Sequence, residues 1–497
     1  MQVRSAAPRA REAERKGPRS EWNYLLALSL VALLPRLFVA LAWSREPVWD
    51  GHYYHFGAER IAAGLGYSED GWAQGHLVWR PWVHYPVGYS GLLAAVYKVF
   101  GSRLWVAPLL NALFGTLLAA VSYRIAQTCL SRTRAYVAGA LVALHPGLIA
   151  YSALVMTELC AALLLSTFGL LLLSFRGRPR GLVIAGLVFG VAVLVRPSSL
   201  LLLPIVALLE PSGFVRALRA LAIVGGVGFA VVLPWTIRNC QRFDGCALVS
   251  TNGGWNLAIG AISDTGRFQT LRASDGCAVV TGQVQQDRCW AEVGKRRILA
   301  DPLRFMRLVP KKLAETFDHE SFAFEYLHEA DPVSWTEPRR VAGRELATGF
   351  HRLLMSLAAL SVIGLPRGFR RDRVAFGLQL TLLVVAGALS VHAFENDRHP
   401  FHWLMLFVLA VGFVPLPGRP PYSPGMLFVL GFLLSVVVTH SLFFGEDRYH
   451  MVVSPMLCIL AAAALRPARE KQRALAPSPS SDSPAPLVVP SLGRAAP

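Results

Sequence analysis

The sequence predicts an all-α, polytopic membrane protein, and three observations carry that prediction. Hydrophobic residues make up 54% of the 497-residue chain and charged residues only 16%, far from the balance of a soluble domain. The apolar residues gather in long blocks, at 23–43, 104–128, 135–175, 181–210, 217–237, 374–393, 401–416, 425–443 and 451–465. A helix needs roughly 20 apolar residues to cross the hydrocarbon. The mean hydropathy is +0.44, yet the net charge is +18. That charge does not indicate nucleic acid, because the basic clusters sit in short connections and termini.

The elements follow in order. Residues 1–22 hold Arg4, Arg9, Arg11, Arg15, Lys16 and Arg19. Further basic clusters are Arg132/Arg134, Arg176/Arg178/Arg180, Arg216/Arg219, Arg367/Arg370/Arg371/Arg373 and Arg466/Arg469/Lys471/Arg473. Basic residues favour the cytoplasmic side, so both termini and these loops are placed inside. No convincing cleavage site follows 23–43, which is read as a retained first span rather than a signal peptide. The block 135–175 is long enough for two crossings, and Glu158 is its only formally charged residue. The stretch 86–100 is short and reads as interfacial or re-entrant, while Arg196-Pro197 interrupts 181–210. The count comes to about 12 spans, within 11 to 13. The domain reading is a basic N-terminus (1–22), a membrane domain (23–465) and a Pro/Ser/Ala-rich disordered tail (466–497). The outer side receives a first loop and interfacial region (44–103) and a long region (238–349).

The first outer loop is dense in polar aromatics. It carries Trp49, Asp50, His52, Tyr53, Tyr54 and His55, then Trp72, Trp79, Arg80, Trp82, His84 and Tyr85. Tryptophan and tyrosine favour the membrane interface, which accounts for the aromatics but not for Asp50. Tyr54, Ala58, Ile61 and Ala62 fall at helical spacing, so 53–64 reads as a short amphipathic helix on the membrane. Asp50 near its start has two readings, a cap for free backbone N–H groups or a catalytic base. Glu158, at the outer end of its block, is either a first-turn acid favoured by the helix dipole or a functional group facing a wet cavity. Arg196 (in LVRPSS), Arg238 beside Asn239 (in LPWTIRNC) and Arg448 (in GEDRYH) are arginines on the outer side, against the general bias. A fixed anion such as a lipid phosphate gives them a purpose, since arginine grips phosphate with paired hydrogen bonds. The competing reading of Arg448 is a local salt bridge to Glu446 or Asp447.

Cys129, Cys160 and Cys458 lie in or beside spans and read as packing residues. Cys240, Cys246, Cys277 and Cys289 share the long outer region, where three disulfide pairings are open. The histidines are scattered, and no HExxH, P-loop, GxGxxG or GxSxG motif appears. No metal ligand and no cofactor are assigned, with a divalent ion left open.

Six stretches in this order resemble the integral-membrane glycosyltransferases of the C fold type. They are VWDGHYYHFGAERIAAGLGY, WVHYPVGYSGLLAAVYKVFG, the TE of YSALVMTELCAALL, LVRPSSLLLLP, PWTIRNCQRFDGCALVSTNGGWNLAIG and GEDRYHMVVSP. The closest likeness is to bacterial relatives of protein O-mannosyltransferases and of lipid A aminoarabinose transferases, over about residues 23–465. The resemblance implies a C-type helical bundle with short amphipathic helices in its outer loops. It also implies a polyprenyl-phosphate-linked sugar donor, transfer on the periplasmic face of the inner membrane, and inversion. It assigns Asp50 to activate the acceptor hydroxyl and Arg80, Arg238 and Arg448 to hold the donor phosphate. His84-Tyr85 precede Pro86 where the aminoarabinose transferases carry an acidic-basic pair, and Asp50-Gly51 is not the Asp-Glu pair of many mannosyltransferases. The reaction class therefore carries over and the substrate does not.

In such a reaction a carboxylate takes the acceptor proton, and arginines stabilise charge on the leaving phosphate. Glu158 suits orienting the base or the acceptor. His52 or His55 are substitute bases. Trp49, Tyr53, Trp82, His84, Tyr85 and Asn239 are candidates for the sugar, acceptor or lipid surroundings. The acceptor is a lipid, a glycan or a protein. Two rival classes are a flippase or transporter for a lipid-linked sugar and an oligosaccharide polymerase or ligase.

Overall fold

The computed structural model describes residues 18–73, 75–210, 213–278, 282–363, 372–395, 400–416 and 422–465. The described residues belong to one compact unit, which ends at Leu465. The expected disordered tail lies wholly outside the described residues, as does the expected basic N-terminus up to residue 17.

The order of elements is α1 (Pro18–Ala42), α2 (Trp49–Ala62), β1 (Ser68–Ala73), β2 (His76–Pro81), α3 (Val87–Phe100), α4 (Val106–Gln127), α5 (Arg132–Ala143), α6 (Pro146–Ala150), α7 (Glu158–Ser174), α8 (Pro179–Val195), α9 (Ile205–Leu208) and α10 (Phe214–Arg242). Then come α11 (Gly253–Ile262), α12 (Gln283–Ala300), α13 (Pro302–Phe317), α14 (Phe322–Ala330), α15 (Glu337–Ile363), α16 (Arg373–Glu395), α17 (His402–Phe413), α18 (Pro424–Leu442) and α19 (Ser454–Ala464). The protein is an all-α, multi-pass membrane bundle. Among the described residues six helices are long and apolar enough to cross a bilayer, or seven if the bent pair α5–α6 counts as one span. Six further apolar stretches of 10–17 residues pack among them.

Neighbour packing closes the bundle. α1 lies on α4 and α5, α4 on α7, α7 on α8 and α8 on α10, while α15 packs on α17 and α19, and α19 returns to α5. The α8–α10 contact is close because both helices present glycine. A Cβ on Gly190 would sit 2.7 Å from the Gly228 carbonyl oxygen, the small-residue packing by which membrane helices approach each other.

Breaks in the helices have local causes. Pro146 ends α5 before His145 because proline cannot donate to the helix ladder. The freed carbonyls of Val142 and Ala143 accept from the buried Arg36 guanidinium at 2.9 and 2.6 Å. Unpaired backbone in hydrocarbon is costly, so Arg36 is what makes this bend tolerable. The interruption expected at Arg196-Pro197 is present. α8 stops at Val195 and a 3-10 turn runs Pro197–Leu202.

The region 44–103 carries the expected short helix, α2, and beyond it an element that was not expected. Between α2 and α3 the chain makes an antiparallel hairpin that pairs Glu69 with Arg80 and Asp70 with Trp79. Gly75 at its tip has φ +79°, a backbone state that glycine adopts without cost. The two outer disulfides are Cys240–Cys246 and Cys277–Cys289, which selects one of the three open pairings. α13 is the strongly amphipathic outer helix, burying Phe305, Leu308, Leu313 and Phe317 on one face.

Candidate active site

The helix carrying Asp50 begins earlier than the spacing of its apolar residues suggested. α2 starts at Trp49, which has φ +50°, a left-handed conformation that costs a side-chain-bearing residue on the order of 1–2 kcal/mol. Contacts hold it there. The Trp49 ring packs against Phe322 and Tyr326, and the Tyr326 hydroxyl accepts from the Val48 amide at 3.2 Å. A Cβ at Gly51 would lie 2.2 Å from that hydroxyl oxygen, so only glycine lets the helix start press this close to α14.

Asp50 does not cap this helix. The N-cap is Val48, with no side-chain cap bond. The Asp50 carboxylate instead faces a cavity, where Tyr85 Oη donates to Oδ1 at 2.6 Å and Arg448 Nη1 donates to Oδ2 at 2.6 Å. Burial pushes this carboxyl up, but the Arg448 charge and the Tyr85 and Arg448 hydrogen bonds bring it below its ordinary value. Arg448 also pairs through Nε with Glu446, so both readings of this arginine meet in one side chain: a local salt bridge and a position in the cavity. Burial lifts Glu446 to about 7 against the pull of Arg448.

The cavity has a volume of about 570 Å³. Asp50, Tyr85, Glu158, Arg196 and Arg448 line it together. Glu158 is 2% exposed and lies 3.7 Å from Arg196 Nη1. Thr157 makes no side-chain cap bond at the start of α7, and Glu158 Oε2 has no hydrogen-bond partner among the described residues. Burying a carboxylate this way is costly, and a bound group with a hydroxyl or a positive charge would relieve it. Arg196 and Arg448 both lie against the Tyr449 ring, at 5.1 Å. His84 stands edge-on to Tyr85 and Trp255, and burial lowers its imidazole despite the nearby Asp50 charge. One wall is apolar. Leu200, Leu201 and Leu442 line it and are each about 40% exposed, so the polar floor continues into a greasy edge.

Several expected site residues lie elsewhere. Arg80 is on the hairpin, 61% exposed, paired with Glu69 at 2.9 Å. Arg238 is spent on backbone, donating to the carbonyls of Tyr67 at 2.7 Å and Trp82 at 3.1 Å. Asn239 donates to Ala247 and Val249. His55 meets the Tyr97 hydroxyl at 2.5 Å, and His52 stacks on Phe56. Tyr53 and Trp82 lie against each other and against Tyr85, one layer behind the cavity. Glu446 and Tyr449 were not singled out as site members beforehand, and Arg196 was named only among the arginines suited to an anion. Arg196 carried a signal, an outer arginine after a span, and Tyr449 adjoins Arg448.

A model of the family described as dolichyl-phosphate-mannose-protein mannosyltransferase matches residues 84–237, a segment holding Tyr85, Glu158 and Arg196. Similar solved structures include the Archaeoglobus fulgidus oligosaccharyltransferase tethered to an acceptor peptide with the NVT sequon, at 14% identity and TM-score 0.45, covering 90% of this chain and 49% of that one. The same enzyme, AglB, with an inhibitory peptide and dolichol-phosphate matches at 14% identity and TM-score 0.43, over 90% and 50%. ArnT from Cupriavidus metallidurans bound to undecaprenyl phosphate matches at 16% identity and TM-score 0.36, over 84% and 78%. The chain spans about half the length of the oligosaccharyltransferase it matches. No curated protein matches the chain. The resemblance to membrane glycosyltransferases of the C fold type is borne out by the family match.

Proposed function

We propose that this protein transfers a sugar from a polyprenyl-phosphate-linked donor to a hydroxyl acceptor at the outer face of the membrane, with inversion. The observation that carries the reading is the contact between Asp50 and Arg448 inside a cavity that is polar on its floor and apolar at its edge. The donor phosphate takes the place of a carboxylate at Arg448, with Arg196 as a second cation. Its lipid tail runs out past Leu200, Leu201 and Leu442. As the glycosidic oxygen departs, the guanidiniums neutralise the charge that grows on phosphate. Drawing Arg448 toward the phosphate loosens its hold on Asp50, which becomes a better proton acceptor where the hydroxyl attacks. Tyr85 keeps the carboxylate aimed. Glu158, short of partners, orients the acceptor or the sugar through a hydroxyl hydrogen bond. The description of the matched family names a donor of this chemical kind. The positively charged connections support a topology with both termini inside and this cavity outside.

The test is transfer by the purified chain in liposomes from labelled polyprenyl-phosphate sugars to extracted envelope lipids, glycans and proteins. Asp50→Asn keeps donor binding and loses transfer by about 10²–10⁴-fold, the usual range for a general base. Undiminished transfer by the variant would remove Asp50 from the chemistry. Movement of the donor across the bilayer without transfer would mark a flippase instead.

A further inference from the structure

A second constellation lies apart from the cavity and has no part in the proposed chemistry. His450, two residues beyond Arg448, directs Nδ1 to the Thr316 carbonyl at 2.7 Å. His351 of α15 directs Nε2 to the Phe317 carbonyl at 2.8 Å. A carbonyl only accepts, so each contact fixes the proton on that nitrogen and leaves a lone pair on the other. One ligand atom from each of His450, His351 and Glu320 lies within 4.8 Å of the other two. The three side chains are buried, at 0%, 0% and 4% exposure.

As an assembly of acceptors this is unfavourable. His450 Nε2 is 3.3 Å from Glu320 Oε2, while His351 Nδ1 and Glu320 Oε1 have no hydrogen-bond partner among the described residues. Among the described residues no lysine or arginine pairs with Glu320. Its charged-group contacts are His450 and, at 3.9 Å, His145. Room for the carboxylate is nonetheless built in, since a Cβ on Gly147 would fall 1.5 Å from Glu320 Oε1. Three lone-pair donors facing inward, each imidazole anchored by its far nitrogen to a carbonyl, is how proteins prepare histidines for a metal ion.

We propose that Glu320, His351 and His450 bind a divalent transition metal of the zinc type. Two imidazoles and one carboxylate are a zinc donor set, with bonds of about 2.0–2.2 Å that set ligand atoms roughly 3.3–3.5 Å apart in a tetrahedron. The His450–Glu320 separation already has that value. The ion ties together α15, the segment after α13, and the turn that carries Arg448. On the same segments, Ser321 Oγ and the Phe322 amide donate to Asp447 at 3.0 and 2.8 Å. The metal is thus a positioning element for the arginine, outside the reacting atoms.

The experiment is metal analysis of the full chain purified in detergent on a histidine-free tag, as isolated and after chelation and reloading with zinc or cobalt. The expected result is one equivalent per chain and the visible absorption of four-coordinate cobalt. His351→Asn and Glu320→Gln weaken zinc binding tenfold or more, while Asp50→Asn retains it. Zinc-edge X-ray absorption on the wild-type chain, which needs no variant to fold, reads two imidazoles with oxygen and no sulfur. Monodisperse protein that takes up no stoichiometric metal overturns the proposal and leaves a cluster holding only a proton. Metal that survives both ligand substitutions, or that leaves with Asp50→Asn, overturns it as well.

Discussion

Arg448 and Arg238 stand on the same side of the membrane and were expected to share one task, yet their partners differ in kind. Arg448 is held by carboxylates, Asp50 and Glu446. Arg238 is held by the carbonyls of Tyr67 and Trp82 and lies over the Trp235 and Phe243 rings. A guanidinium between carboxylates can exchange one anion for another, because phosphate offers the same paired acceptors. A guanidinium on backbone carbonyls cannot leave without taking a hydrogen bond from each. The first arrangement is suited to a ligand, and the second is a strap that fixes the hairpin and the Trp82–Pro86 segment, and through them Tyr85.

This comparison can be broken by experiment. The largest effect is expected at Arg448. Arg448→Ala lowers transfer by about 10²–10³-fold, the cost of losing one preorganised charge-stabilising donor, and Arg448→Lys recovers only part of it. A loss of thermal stability without a matching loss of transfer would reverse its role with that of Arg238. Arg238→Ala is expected to destabilise the protein by about 1–3 kcal/mol through the hydrogen bonds lost at the Tyr67 and Trp82 carbonyls, seen as a lower Tm in detergent. The donor KM should change little. A tenfold rise in KM at unchanged Tm would make Arg238 a phosphate ligand after all.

Glu446 sharpens the picture through pH. Its carboxyl sits at about 7, so above that pH the carboxylate competes with phosphate for Arg448, and below it protonation frees the guanidinium. The donor's phosphodiester keeps its charge throughout this range. The donor KM should therefore rise a few-fold from pH 6 to pH 8, and Glu446→Gln should flatten that profile. A wild-type KM that falls with pH would refute the competition. The smallest effect belongs to Arg80, whose exposed pair with Glu69 contributes about 0–1 kcal/mol. Arg80→Ala should leave transfer within about twofold, as expected for a surface change away from any site.

Legibility followed the range of the interaction. Asp50 after the first span, the break at Arg196-Pro197 and the late arginine before the last apolar helix were readable, because each is a local departure from an apolar pattern. The β-hairpin was missed because its strands are short and their aromatics are equally at home in an interfacial belt. The cap reading of Asp50 failed for a different reason. Capping is a local option, but an arginine 398 positions away offers a charged partner where a backbone amide offers only a dipole. The histidines looked scattered because His351 and His450 come from segments about a hundred residues apart, and no spacing rule spans that distance.

Composition along the chain was enough to specify a helical membrane protein, the breaks in its helices and the connecting segments that carry ionisable groups. Water and lipid sort residues by type along the chain, and that sorting is written in local composition. Only the tertiary structure decided which arginine meets a carboxylate, which cysteines pair and that Glu320 joins two histidines. These depend on which helix ends are brought together, and packing across the whole bundle sets that.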